Sequence, residues 1–166
     1  LICTTACLGS YLDQCIIDDN LEEANNHLKE LHSIFGDRLF LEIQPFNEKE
    51  QIKANLQLIK MAKENNIKLI TGTDSHYVNK EDHYIHDILL CIGTGAKLKD
   101  ENRFRFKNEF WFMSYEEVIE HYESQIQLGG IENIYEYECA IQESLDNTHV
   151  LADMVEDVKL KSSTPI

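Results

Sequence analysis

The sequence predicts an α/β fold of about three parallel strands with flanking helices, followed by a mostly helical extension. Three observations carry that expectation. Short runs of β-branched and apolar residues near 1–7, 38–44 and 67–73 alternate with segments whose apolar residues recur at helical spacing. Strands and helices alternating at these lengths imply βα units around a parallel sheet. Past about residue 100 the pattern turns aromatic and then helical, which divides the chain into 1–105 and 106–166.

The elements follow in order. "LICTTAC" reads as a strand, broken by Gly9, and "SYLDQCII" as a short helix. In "NLEEANNHLKELHSIFG" Asn20 is the N-cap, Glu23 stands three residues on and Gly36 ends the helix. Leu21, Ala24, Leu28, Leu31 and Phe35 form its inward stripe. "RLFLEIQ" alternates as a second strand. The helix "NEKEQIKANLQLIKMAKENN" turns Ile52, Leu56, Ile59 and Ala62 inward and stops at Asn65-Asn66. "IKLITGT" is the third strand, and a helix capped by Asn79, with Asp82 at its third position, follows. Beyond it, "EFWFM" reads as a short strand, Ser114 starts a helix running to about Tyr122, and a last helical stretch is expected to break near Asp146-Asn147.

Composition excludes several classes. Of 166 residues, 43% are hydrophobic and 27% charged, as in globular chains. No apolar run is long enough to span a bilayer, and no basic leader precedes the apolar start, so neither a membrane span nor a secretory signal is expected. The absence of an initiator Met reads as a start inside a longer protein. A net charge of −15 repels polyanions, so the chain alone is too acidic for strong DNA binding. The five cysteines include no C-x-x-C pair, which fits reduced thiols in a cytoplasm rather than a disulfide framework.

The chemistry concentrates in "ITGTDSHYVN". Asp74 and His76 stand at i and i+2, so in an extended segment their side chains leave the same face. They lie just past the carboxyl end of a buried strand, where parallel α/β folds keep ligands and metals. Carboxylate oxygen and imidazole nitrogen suit zinc, manganese or iron, and Gly72 and Thr73 allow a sharp change of direction. Two donors do not hold a catalytic ion. Cys7, at the end of the first strand, is a candidate third; as a plain buried cysteine it would be inert. Glu42 reads as a hydrogen-bonded strand-end carboxylate. His83 and His86, one turn apart on a helix, read as hydrogen-bonded or solvent-facing, and Arg103, Arg105 and Lys107, interleaved with Phe104 and Phe106, as an edge strand.

In order, "LICTTACLGS", "FGDRLFLEIQ", "TGTDSHYVNKEDHYIHDILLCIGTG", "NRFRF" and "AIQESLDNTHVLADMVEDVKL" resemble the bacterial replicative DNA polymerase III alpha subunit. The stretch that matches is its polymerase-and-histidinol-phosphatase (PHP) domain and the segment after it. The resemblance implies a distorted βα barrel with a metal centre at the carboxyl ends of its strands. The family's last motif maps onto Asp74 and His76, and an earlier cysteine or histidine onto Cys7. It implies a divalent metal, zinc or manganese. It further implies either a metal-dependent 3′–5′ exonuclease, in which the ion lowers the pKa of a bound water, or a degenerate scaffold docking a proofreading subunit. The parent would be a DNA-directed DNA polymerase, a nucleotidyltransferase working with DNA and other replisome subunits.

The departures are informative. The family's H-x-H and its P-D-x-D-x-D palm motif are missing from these residues. The expectation is therefore a partial, truncated PHP-type barrel in 1–105 and the entrance to the polymerase core in 106–166. Such a piece holds no complete metal centre and no polymerase activity. A stand-alone PHP phosphoesterase is the rival, and "SLDNTHVLAD" argues against it. Half a barrel leaves sheet edges and apolar surface open, to be repacked within the chain or paired with a second copy.

Overall fold

The computed structural model describes residues 1–106 and 110–157; Lys107, the first residue of "EFWFM" and the tail from 158 lie outside the described residues. A three-stranded parallel sheet in the order β1-β2-β3 is formed by Cys3–Thr4, Leu39–Ile43 and Lys68–Thr71. Helices α1 (Tyr11–Ile17) and α2 (Leu21–Phe35) connect β1 to β2, and α3 (Lys49–Asn65) connects β2 to β3. Then come α4 (His83–Thr94), α5 (Tyr115–Leu128) and α6 (Ile134–Asp153). The expected mixed α/β architecture, with three parallel strands and flanking helices, is what the chain adopts.

Local chemistry explains most boundaries. The Asn20 side chain accepts the Glu23 N–H at the start of α2, and Ser114 and Glu117 form a reciprocal capping box on α5. Asn79 and Asp82 make a second box, which caps a single 3₁₀ turn, Lys80–Asp82, running directly into α4. Asn66 closes α3 in the left-handed conformation that asparagine tolerates.

The sheet corrects two expectations. β2 does not alternate: Leu39, Phe40, Leu41 and Ile43 are all buried, because helices cover both faces. Each such side chain contributes about 1.5–3 kcal/mol by leaving water. β1 is only two residues long, since Ala6 turns left-handed (φ 62°). Thr5 prolongs the pairing through its side chain, its Oγ1 accepting the Glu42 N–H at 2.9 Å. Cys7 therefore lies in the turn after β1 and not at the end of the strand.

Later elements differ too. The described residues of "EFWFM", 110–113, contribute a bridge between Trp111 and Tyr77 and no longer strand. α5 runs on to Leu128 because Val118, Tyr122 and Gln125 keep one face buried. α6 passes through Asp146-Asn147 unbroken. Asn147 is buried there and donates to the Leu69 carbonyl at 2.8 Å, meeting an acceptor of the edge strand β3. Ser144 on α6 bonds Thr71 at 2.6 Å, and the Tyr122 hydroxyl donates to the Ile43 carbonyl at 3.2 Å. The edge of β3 is thus met by α6 within the chain, and α1–α3, α5, α6 and the sheet share one hydrophobic core.

Beneath α5 and α6 lies a polar hub. Asn55 accepts from the Gln44 N–H at 3.1 Å and from Gln51 at 3.0 Å, and donates to the Gln44 carbonyl at 2.8 Å and to the Tyr137 hydroxyl at 3.1 Å. Gln125 donates to the Gln44 and Phe46 carbonyls and accepts from Tyr137 at 2.7 Å. These bonds satisfy the chain leaving β2, where no further strand residues could. No helix among the described residues is long and apolar enough to cross a membrane.

Candidate functional site

The carboxyl ends of β2 and β3 lie side by side. Glu42 pairs with Ile70, and the Gly72 N–H donates to the Ile43 carbonyl at 3.1 Å. A Cβ on Gly72 would stand 2.0 Å from Glu42 Oε1, so glycine here leaves room for the Glu42 carboxylate, which also accepts from Gln44 Nε2 at 2.8 Å. Glu42 is a hydrogen-bonded strand-end carboxylate, as its sequence position suggested. The change of direction, expected at Gly72 and Thr73, falls at Asp74, whose φ of 45° is left-handed. Asp74 Oδ1 lies 3.5 Å from His76 Nε2, with both side chains about 30% exposed.

The Asp-x-His segment is held by residues 110–112. His76 N–H donates to the Phe110 carbonyl at 2.7 Å, Phe112 N–H to the Tyr77 carbonyl at 3.0 Å, and Ser75 Oγ to the Trp111 carbonyl at 3.2 Å. The His76 ring stacks on Phe110 at 4.8 Å, and the edges of His86 and Phe106 meet it at 5.1 Å. Desolvation, and then the neighbouring His76, hold His86 below the usual imidazole range.

Cys7 faces the same end of the sheet. Burial is the main influence raising its thiol, the Gly9 backbone N–H opposes it, and the carboxylates of Asp74 and Glu42 raise it further. A thiol so held is protonated at neutral pH. A third carboxylic acid, unnoticed in the sequence, is Asp13 on α1. It is 1% exposed, neither carboxylate oxygen has a hydrogen-bond partner of normal geometry among the described residues, and desolvation followed by the Glu42 charge raises it to about 7 against a smaller opposing influence of Ser10. Among the described residues, no three His, Cys, Asp or Glu side chains converge as a group able to hold a metal ion. Asp74 and His76 have the chemistry and spacing of two donors; as they stand, this chain's residues fit part of a divalent site and not a whole one.

No protein-family model matches the chain. Curated proteins do. The DNA polymerase III subunit alpha of Borreliella burgdorferi is 36% identical over 167 residues, covering 100% of this chain and 13% of that protein. The subunit of Thermus aquaticus is 40% identical over 71% of the chain and 10% of its own length. That of Treponema pallidum is 35% identical over 76% of the chain and 11% of its own length. The chain belongs to the DNA polymerase III alpha subunit family. It spans about a tenth of the length of the curated relatives it matches.

In this alpha subunit segment the sequence singled out Asp74 and His76, which the fold brings together, and Cys7, which it brings to the same sheet end. It missed Asp13 and the Phe106–Phe110 support of His76. The burial of Asp13 could have been found in its neighbours, since Leu12, Cys15 and Ile16 flank an acid on the inward side of a short helix. Of the two α4 histidines, His83 meets the Lys80 carbonyl while His86 joins the His76 cluster. Arg103 is not on an edge strand: its guanidinium, 5% exposed, grips Asp87 of α4 with both nitrogens and pulls that carboxyl below the usual range.

Proposed function

We propose that this chain is the PHP-region portion of a replicative DNA-directed DNA polymerase, acting in the cytoplasm with DNA and other replisome subunits through the parent protein. The observation that carries the reading is the match along the whole chain to the DNA polymerase III alpha subunit of Borreliella burgdorferi, over 13% of that protein's length. In the parent, Asp74 and His76 would present a carboxylate oxygen and an imidazole nitrogen to a divalent ion, zinc or manganese, with Cys7 beside them. Donors from outside this chain would complete the site. The truncated-barrel description belongs to the same proposal: β1–β3 with α1–α3 would be the later part of a PHP barrel, and α5–α6 the passage into the polymerase core.

The test is made on the intact parent. Primer extension should be present in the parent and absent from the 166-residue chain. Elemental analysis of the purified parent should find bound divalent metal that drops in Asp74→Asn and His76→Ala. Unchanged metal content in both variants removes the metal role. Loss of 3′–5′ exonuclease activity in the same variants, with primer extension retained, would assign hydrolysis to this centre.

A specific observation favours a second reading, the degenerate scaffold. No three donors converge among the described residues, so this chain by itself holds no complete centre. A parent that carries no metal yet retains a bound proofreading subunit would establish it.

A further inference from the structure

Among the helices, α4 stands apart. Helices α1–α3, α5 and α6 all feed the shared core, and no described residue of α4 belongs to it. Ile85, Leu89 and Ile92 recur at intervals of four and three, so they line one face of the helix, and they are 56%, 58% and 72% exposed. That face carries no Asp, Glu, Lys or Arg. Asp87, the one such residue in α4, lies about 200° around the helix from Leu89 and is held by Arg103. A bare aliphatic stripe of this kind, with nothing charged to break it, marks a surface that another protein surface covers.

We infer that this face of α4 is an internal seam of the parent protein, packed against an apolar surface of the parent polypeptide outside these 166 residues. The inference rests on the reading of the chain as part of a longer polymerase. The chain spans about a tenth of the relatives it matches, so ample polypeptide is there to cover the face. The size of the stripe points the same way. Three aliphatic side chains bury on the order of 100 Å² each, or about 300 Å² together. A stable complex between separate chains buries roughly 800 Å² on each partner. So small a contact holds best between surfaces tethered in one polypeptide, where the effective concentration is in the millimolar range. A second copy of this chain brings a second net charge of −15, and the two repel, so self-association through the stripe is weak. A nucleic acid finds no cation on this face to neutralise its phosphates.

Hydrogen–deuterium exchange on the 166-residue chain and on the purified intact parent tests this. The backbone amides of α4 are expected to exchange about tenfold more slowly in the parent than in the chain, while those of α2, packed in both, change little. Ile92→Lys is expected to leave the melting midpoint of the chain unchanged and to remove the extra protection of α4 in the parent. Primer extension by the variant parent shows that it still folds, and Ile92→Met, which keeps an apolar side chain, is expected to keep the protection. The inference is overturned if α4 exchanges equally fast in parent and chain, or if Ile92→Lys leaves the protection in place. It is also overturned if the protection grows with protein concentration, which assigns the face to a second copy, or if it arises only when another replisome subunit is added. A parent without primer extension removes the polymerase reading instead, and the exchange rates of α4 still decide the seam.

Discussion

Helices α6 and α4 make an instructive pair. α6 carries polar residues on its inward face, yet Tyr137, Ser144 and Asn147 are buried against β3 and α5. α4 is the more apolar of the two, yet Cys91 alone is buried, and Ile85, Leu89 and Ile92 stand 56–72% exposed along one face. What fixes α6 is that its polar groups find partners at the edge of the sheet. What holds α4 is the grip of Arg103 on Asp87 and the aromatic contacts of His86. Apolar character alone does not decide which helix joins a core; the neighbouring surface must also be there.

The comparison can be broken most severely at the hub beneath α6. Asn55→Ala should destabilise the chain by roughly 3–5 kcal/mol, since it strands the Gln44 main chain and the Gln125–Tyr137 pair. A denaturant titration reads this, and a loss under 1 kcal/mol would mean that the hub is dispensable. Gly72→Ala comes next, at about 1–3 kcal/mol, because the new methyl displaces the Glu42 carboxylate. Glu42→Ala in the same chain should restore most of the loss, and a double-mutant cycle without coupling would contradict the contact.

A milder change sharpens the point that buried polar groups need partners. The Asp13 carboxyl is held up near pH 7, above its ordinary value of 3.8. The folded state therefore binds its proton more tightly than the unfolded state does. This contribution to stability is whole below pH 3.8, declines as pH rises and is gone above about 7. Asp13→Asn should flatten that part of the pH profile and gain on the order of 1–3 kcal/mol at pH 8. A wild-type profile flat between pH 5 and about 8 would remove the explanation. The smallest effect belongs to α4. Leu89→Lys should change stability by less than about 0.5 kcal/mol while reducing self-association of the isolated chain in sedimentation velocity.

How much could be read in the sequence depended on range. Caps at Asn20, Asn79 and Ser114, and the stop at Asn65-Asn66, are decided within four residues and were legible. The parallel order was legible from alternating strands and helices. The role of Asn147 was not. Asn in mid-helix reads as a weak point, and only the Leu69 carbonyl, 78 residues away, makes it a fastening. Gln51 and Asn55 were hidden in the same way, as polar positions on a helix whose apolar stripe drew attention. At the candidate site, Asp74 and His76 were singled out because they are neighbours in sequence. Asp13 and Phe110 were missed because only the folded sheet brings them to the same end. Cys7 was placed on a strand because nothing in "TTAC" announces a left-handed alanine.

The backbone at Asp74 has one further consequence. An L-residue kept at positive φ costs about 1 kcal/mol relative to glycine, and Asp is among the few that tolerate it. A mutant library selected only for thermal endurance would therefore drift toward glycine at this position and discard the acid group. A library selected for whatever the acid group serves would refuse that drift, so the two outcomes would weigh the carboxylate against the turn that carries it.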